Sequence, residues 1–154
     1  MRLNSWTGRI AKTFAILTAA TALSIGAAIP ASASKEIPTG YVIGTVEWCN
    51  FNSYLGRDIG LSPGAGTLHL RARHNMSGTR DGICAYVTDD IPGSHWIGVK
   101  VRALGWSTSA WDADTYTTYA GAIGMHAMDC FDLVHGEVAV NGVVSTADGG
   151  VFCR

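Results

Sequence analysis

The sequence predicts an all-β fold, a single small antiparallel β-sandwich or barrel with two disulfides. Three observations predict it. An Asn141-Gly142 pair separates two β-branched runs near the end of the chain, the pattern of a type I′ hairpin, whose two turn residues both need positive φ. Further short runs alternate apolar and polar residues between Gly-, Pro- and Asp-rich turns, and none sustains a capped 3.6-residue period. Four cysteines, Cys49, Cys84, Cys130 and Cys153, all follow an export segment, and an even count in a small exported chain reads as two disulfides.

That export segment covers residues 1–33. Arg2, Arg9 and Lys12 form its basic start, Thr13 to Ile29 is uncharged and mostly apolar, and Ala31-Ser32-Ala33 supplies small residues for cleavage before Ser34. The apolar run is short for a membrane anchor, is diluted by Thr, Ser and Gly, and has no basic stop beyond it. Residues 34–154 then form one secreted β domain with a modest core. They hold eight basic and twelve acidic residues, a net charge of −4. With no basic patch, neither nucleic acid nor, after cleavage, a membrane surface is an expected partner.

Taken in order, Ser34 to Thr39 is a polar lead-in. Tyr41 to Trp48 alternates and reads as a strand, with Val42, Val46 and Trp48 on one side. Asn50 to Gly66, broken by Gly56, Gly60, Pro63, Gly64 and Gly66, reads as a long ordered loop anchored at Cys49. Thr67 to His74 places Leu68, Leu70 and Ala72 inward and His69, Arg71 and Arg73 on a solvent-facing row. Asn75 to Gly82 is a turn that carries the glycosylation sequon Asn75-Met76-Ser77. Ile83 to Thr88 is the next strand, bearing Cys84 and Tyr86. Trp96 to Leu104 follows, with Ile97, Val99, Val101 and Ala103 inside and Lys100 and Arg102 outside. Trp106 to Asp114 reads as loop, Thr115 to Tyr119 as a strand broken by Gly121, and Ile123, Met125 and Ala127 as the inner row of another strand with His126 outward.

The closing hairpin also fixes a cysteine pairing. If Val140 faces Val143, an unbroken ladder joins residues whose numbers add to 283, and Cys130 with Cys153 lies on that line. The expected bridges are Cys130–Cys153 and, by remainder, Cys49–Cys84, each worth roughly 3–4 kcal/mol in the chain-entropy account. Counting from the turn puts Cys130 and Cys153 at a hydrogen-bonded pair with Cα atoms about 5.5 Å apart, inside the range a disulfide accepts. A bulge at Gly136 or Gly149-Gly150 would shift this register by one. The cysteines lack Cys-x-x-Cys spacing, so a zinc site is not expected.

Chemical signatures are sparse. There is no Gly-x-Ser-x-Gly, the serines Ser62, Ser77, Ser94, Ser107, Ser109 and Ser145 sit in turn-like contexts, and no Gly-rich phosphate loop joins a strand to a helix. His126, Asp129, Asp132 and His135 form the one local cluster of potential metal ligands, but strand alternation turns Asp129 away from His126 and Asp132. His135 faces Asp148 in the hairpin register, as a cross-strand ion pair. Asp112 and Asp114, with Trp106, Trp111 and Tyr116 nearby, have the residue types of a carbohydrate site. The aromatics either stack on a sugar or cover the end of the core. Trp106, Trp111 and Tyr116 are therefore a candidate binding patch, and no catalytic, cofactor or metal residue is assigned.

The stretch Thr115-Tyr-Thr-Thr-Tyr-Ala-Gly-Ala-Ile123, followed by an alternating segment to Cys130, resembles the spore-associated protein A family of small secreted bacterial proteins. Tyr116 and Tyr119-Ala120-Gly121 match the start of that family's motif, and Ile123 replaces its valine. The order of Cys49, Cys84 and Cys153 along the chain fits as well. Ala122 departs from it, standing where the family favours proline, and the Trp-Gly-Gly after the third cysteine is missing. The resemblance implies export and association with a cell or spore surface; it implies no established enzyme activity and carries over no active residue.

These readings converge on a non-enzymatic extracellular β domain, associated with a cell- or spore-surface component and needing no cofactor. The alternative is a secreted inhibitor or toxin presenting the 50–66 loop. A third expectation is a carbohydrate-active hydrolase built on Asp112 and Asp114.

Overall fold

The Asn141-Gly142 turn sets the register of the last hairpin. Both residues take positive φ, 51° and 80°, and Val143 faces Val140. Pairing continues through Ala147 opposite Gly136 and Asp148 opposite His135 to Cys153 opposite Cys130, every pair adding to 283 as read from the sequence. In the computed structural model, which describes residues 34–76 and 80–154, this hairpin forms one side of a sandwich of two antiparallel sheets. The export segment expected over residues 1–33 lies outside the described residues, as does Ser77 of the sequon.

The first sheet, A, runs β1 (Ser34–Glu36), β7 (Ala110–Tyr116), β6 (His95–Ala103), β9 (Cys130–Val140) and β10 (Val143–Asp148), with β11 (Phe152–Cys153) also paired to β9. The second, B, runs β2 (Tyr41–Ile43), β8 (Tyr119–His126), β5 (Gly82–Asp89), β4 (Gly66–Arg73) and β3 (Ser53–Gly60). Period-2 alternation sends one face of each strand into the space between the sheets. Leu68 and Leu70 of β4, Ile83 and Val87 of β5, Ile97, Val99 and Val101 of β6, Ile123 of β8, and Phe131, Val134 and Val138 of β9 are buried there. Both expected disulfides form, Cys49–Cys84 and Cys130–Cys153. The fold is thus an all-β sandwich closed by two disulfides.

Several segments differ from their sequence reading. The 41–48 strand stops at Ile43, and Val46–Asn50 is a short helix, α1, whose N-cap Thr45 accepts a hydrogen bond from the Trp48 N–H. A helix this short needs a cap and a covering contact rather than periodicity. Cys49 and Trp48 supply that contact, packing α1 on the outer face of sheet B with Met76, Cys84, Tyr86 and Ala122. The 50–66 loop is largely β3, an edge strand exposed at most positions. His69, Arg71 and Arg73 do face outward, but each is engaged there: His69 stacks on Tyr86 and bonds Asp58, Arg71 bonds Asp58 and Asn50, and Arg73 is buried, its guanidinium donating to the Trp48 carbonyl and lying over the Trp48 and Phe51 rings. The 106–114 loop gives way to β7 at Ala110. The 115–119 strand is instead a junction, where β7 ends, Thr117-Thr118 cross between sheets and β8 begins. Gly121 lies within β8, where its pairing with β5 shifts register. Ala127 is exposed at a turn with φ of 59° rather than on an inner row, and Ser145 is buried in β10.

The Cys130–Cys153 pair also corrects one detail. Its Cα atoms are 4.1 Å apart, the spacing of a non-hydrogen-bonded pair rather than the hydrogen-bonded pair expected. The next pair outward carries the bond instead, with Arg154 N–H donating to the Asp129 carbonyl. The phase set by the turn holds as far as Gly149, whose N–H donates to the Val134 carbonyl, and it changes over Gly150 and Val151 between β10 and β11, where Gly150 takes a positive φ of 59°.

Two expectations follow. A Cβ at Gly142 meets nothing within 4 Å, so Gly142→Ala costs only the positive-φ penalty, about 1–2 kcal/mol, in a denaturant melt of the disulfide-bonded protein. Cys49 and Cys84 are both fully buried, whereas Cys153 is exposed. Limiting dithiothreitol, with alkylation and peptide mass analysis, is expected to open Cys130–Cys153 first, because exchange needs access to a sulfur.

Candidate binding surface

The outer face of sheet A is assembled by register alone. Glu36 on β1 pairs with Trp111 on β7, Trp111 with Lys100 on β6, Lys100 with His135 on β9, and His135 with Asp148 on β10. One transverse row across five strands therefore reads Glu, Trp, Lys, His, Asp. The neighbouring row is Ser34, Ala113, Gly98, Glu137 and Thr146. Its centre is small, and Trp111 uses that space: a Cβ on Gly98 would lie 2.6 Å from the indole and 3.0 Å from Glu137 Cγ. Glycine at 98 thus lets the indole lie down across the sheet. Beyond it, Trp96 donates through Nε1 to Glu137 Oε1 at 2.6 Å and packs with Ala113 and Ala139.

Glu36, Lys100, Trp111, His135 and the 107–109 segment together line an open groove of about 500 Å³. Tyr41 holds that segment in place from inside the sandwich. Its hydroxyl donates to the Thr108 carbonyl at 2.9 Å and accepts the Ala103 N–H at 3.0 Å, and burial raises its pKa. His135 lies 2.7 Å from Asp148 and 3.8 Å from Glu137. Glu137, then Asp148, favour its charged form and raise its pKa, with desolvation opposing them. Among the described residues, neither Lys100 nor Glu36 has an ion-pair partner within 4.0 Å.

The three aromatics of the candidate patch are placed apart. Trp111 lies in the groove. Trp106 caps the end of the sandwich, edge-on to Tyr41 at 5.6 Å and above Gly40. Tyr116 packs against the core and donates to Asp112 at 2.9 Å; burial, then that carboxylate, raises its pKa. Asp112 is buried and also accepts the Gly121 N–H at 2.9 Å, tying sheet A to sheet B. A second, smaller cavity of about 290 Å³ opens beside it, lined by Lys35, Tyr116, Tyr119 and Gly121. Strand alternation sends Asp112 and Asp114 to the opposite face from Trp111, so the carboxylates and that indole do not share a cleft.

The cluster of potential ligands is likewise dispersed. Asp129 pairs with Arg154, Asp132 with Arg102, His135 with Asp148, and His126 lies opposite Gly82. Another arrangement went unread in the sequence because it spans three strands. On the outer face of sheet B, Asp58 lies 2.8 Å from His69 Nδ1, and Thr88 Oγ1 lies 2.9 Å from His69 Nε2. That order has the reach of an orienter, base and nucleophile. Arg71, however, bonds the same Asp58 oxygen and holds its pKa down, and Thr88 sits on a central strand whose backbone N–H groups are committed to the ladder. These contacts tie β3, β4 and β5 together across the outer face.

No protein-family model matches the chain, and comparison with curated proteins and with solved structures likewise gives no match. The fold and the groove therefore carry the functional argument.

Two measurements probe the groove. Tyr41→Phe removes the donor to Thr108 and leaves the Ala103 N–H unpaired, and is expected to destabilise the protein by about 1–3 kcal/mol in a denaturant melt. A raised folded pKa at His135 adds stability that is complete below its unfolded pKa and is lost as pH rises through the folded value. His135→Gln is therefore expected to lose more stability at pH 5 than at pH 8 in paired melts.

Proposed function

We propose that this chain is a non-enzymatic, exported β-sandwich that attaches to a cell or spore surface through the outer face of sheet A. The observation that carries this reading is the groove beneath the 107–109 segment. An indole, an ammonium and a carboxylate project there from neighbouring strands, and the ammonium and carboxylate have no ion-pair partner among the described residues. Side chains held on the strands of a rigid sheet are preorganised for recognition. Two disulfides are consistent with an oxidising, extracellular setting. The export segment supports secretion, and the likeness of Tyr116 and Tyr119-Ala120-Gly121 to the spore-associated protein A family supports a surface location.

The inhibitor reading depended on a constrained loop over residues 50–66, and most of that segment is a paired strand. The hydrolase reading joins Asp112 and Asp114 to Trp106, Trp111 and Tyr116; Tyr116 does lie against Asp112, but its hydroxyl is taken up by that carboxylate, which also holds the Gly121 N–H, and Trp111 faces the other way. Surface attachment is tested by adding the fluorescently labelled exported protein to washed bacterial cells and spores. Retention that survives 0.5 M salt, roughly five times the ionic strength giving a 10 Å Debye length, is expected, together with release of most of the signal by Trp111→Ala. Equal retention of wild type and Trp111→Ala, or none of either, would overturn the assignment.

A further inference from the structure

The groove's chemistry narrows the partner, on the premise that sheet A is the recognition face. We infer that it binds a neutral polysaccharide chain, laid across the strands along the row from Glu36 to Asp148. At about 4.8 Å between strands, five residues in register span about 19 Å, long enough for several linked sugar rings. A sugar ring offers an apolar face and a rim of hydroxyls that both donate and accept. Trp111, reclined over Gly98, supplies the matching aromatic surface. Glu36 accepts, Lys100 donates, and the hydroxyls of Ser107 and Ser109 do either.

Charge decides for a neutral chain over an anionic one. The signs along the row are mixed: Glu36 and Asp148 flank the cations, and Glu137 lies in the adjacent row. The residues after the export segment carry a net −4, so a polyanion would meet a repulsive domain and a groove without one positive field. A peptide fits less well. β7, β6 and β9 are interior strands of sheet A with their backbone groups already paired, and β1, the edge strand that brings Glu36 to the groove, is only 3 residues long, a short template for a peptide strand to join.

The test is a titration of the exported protein, followed by intrinsic tryptophan fluorescence and calorimetry. The probes are β-linked gluco-oligosaccharides and N-acetylglucosamine oligomers of increasing length, with polygalacturonate as the anionic comparison. Affinity is expected to rise with length until the chain covers the row, at roughly four units. Trp111→Ala is expected to weaken binding about thirtyfold, as for a central aromatic contact. Lys100→Ala, a half-exposed position that leaves the packing on Gly98 intact, should weaken it severalfold with an unchanged circular dichroism spectrum. Phe51→Ala, on the opposite sheet, should leave it unaltered. Tighter binding of polygalacturonate, no binding of any neutral oligomer at millimolar concentration, or affinity indifferent to Lys100→Ala would each overturn the inference. If the protein still holds to cells through Trp111 while every oligosaccharide fails, the glycan assignment falls and surface attachment stands. If both assays fail, both fall.

Discussion

A two-residue turn governs the registry of sheet A. Asn141 and Gly142 accept positive φ, so Val140 must face Val143, and every later pair on that side inherits the choice. One consequence is covalent: Cys130 and Cys153 arrive opposite each other, and the chain end is fastened. The other is chemical. His135 and Asp148 become partners, and β9 in turn sets His135 beside Lys100. A slip of one residue would turn His135 inward and expose Val134, since side chains alternate between faces. The buried Val134 and Val138 hold the register from within, as the turn holds it from the end.

The two outer faces meet the demands of a small sandwich differently. Sheet B packs α1 on its outer face, with Cys49–Cys84 pinning the helix and Arg73 lying over the Trp48 and Phe51 rings. Sheet A leaves its outer face open apart from the two tryptophans lying on Gly98, Ala113 and Ala139. Buried polar links join the layers: Asp112 reaches Gly121 across the sheets, and Tyr41 reaches Ala103 and Thr108. Each joins an element of one sheet to a segment of the other, so the groove wall at 107–109 is fixed by the sandwich rather than by its own loop.

Much of the fold was legible because local chemistry specified it. Alternation marked β4, β5 and β6, and turn chemistry with cysteine spacing gave both bridges and the His135–Asp148 pair. The elements that escaped lacked such signals. β3 is exposed along most of its length and is held by backbone pairing to β4, so its side chains carry no pattern. β7 inverts the usual signal, burying Asp112 and presenting Trp111 outward. A five-residue helix shows no period at all. The groove was legible only in fragments, Lys100 as an outward residue and Trp111 as an aromatic one. Joining them to Glu36 requires β1, β7 and β6 to be adjacent, and β1 and β6 are far apart in sequence.

The central claim is that this registry makes the outer face of sheet A the recognition surface. Amide chemical-shift mapping of residues 34–154, titrated with polysaccharide fragments released from the bacterial cell surface, tests it most directly. The account predicts shifts confined to β1, β7, β6, β9, β10 and the 107–109 segment, largest around Trp111 and Lys100. Shifts centred on Trp48, Phe51 and Arg73, with sheet A silent, would contradict it.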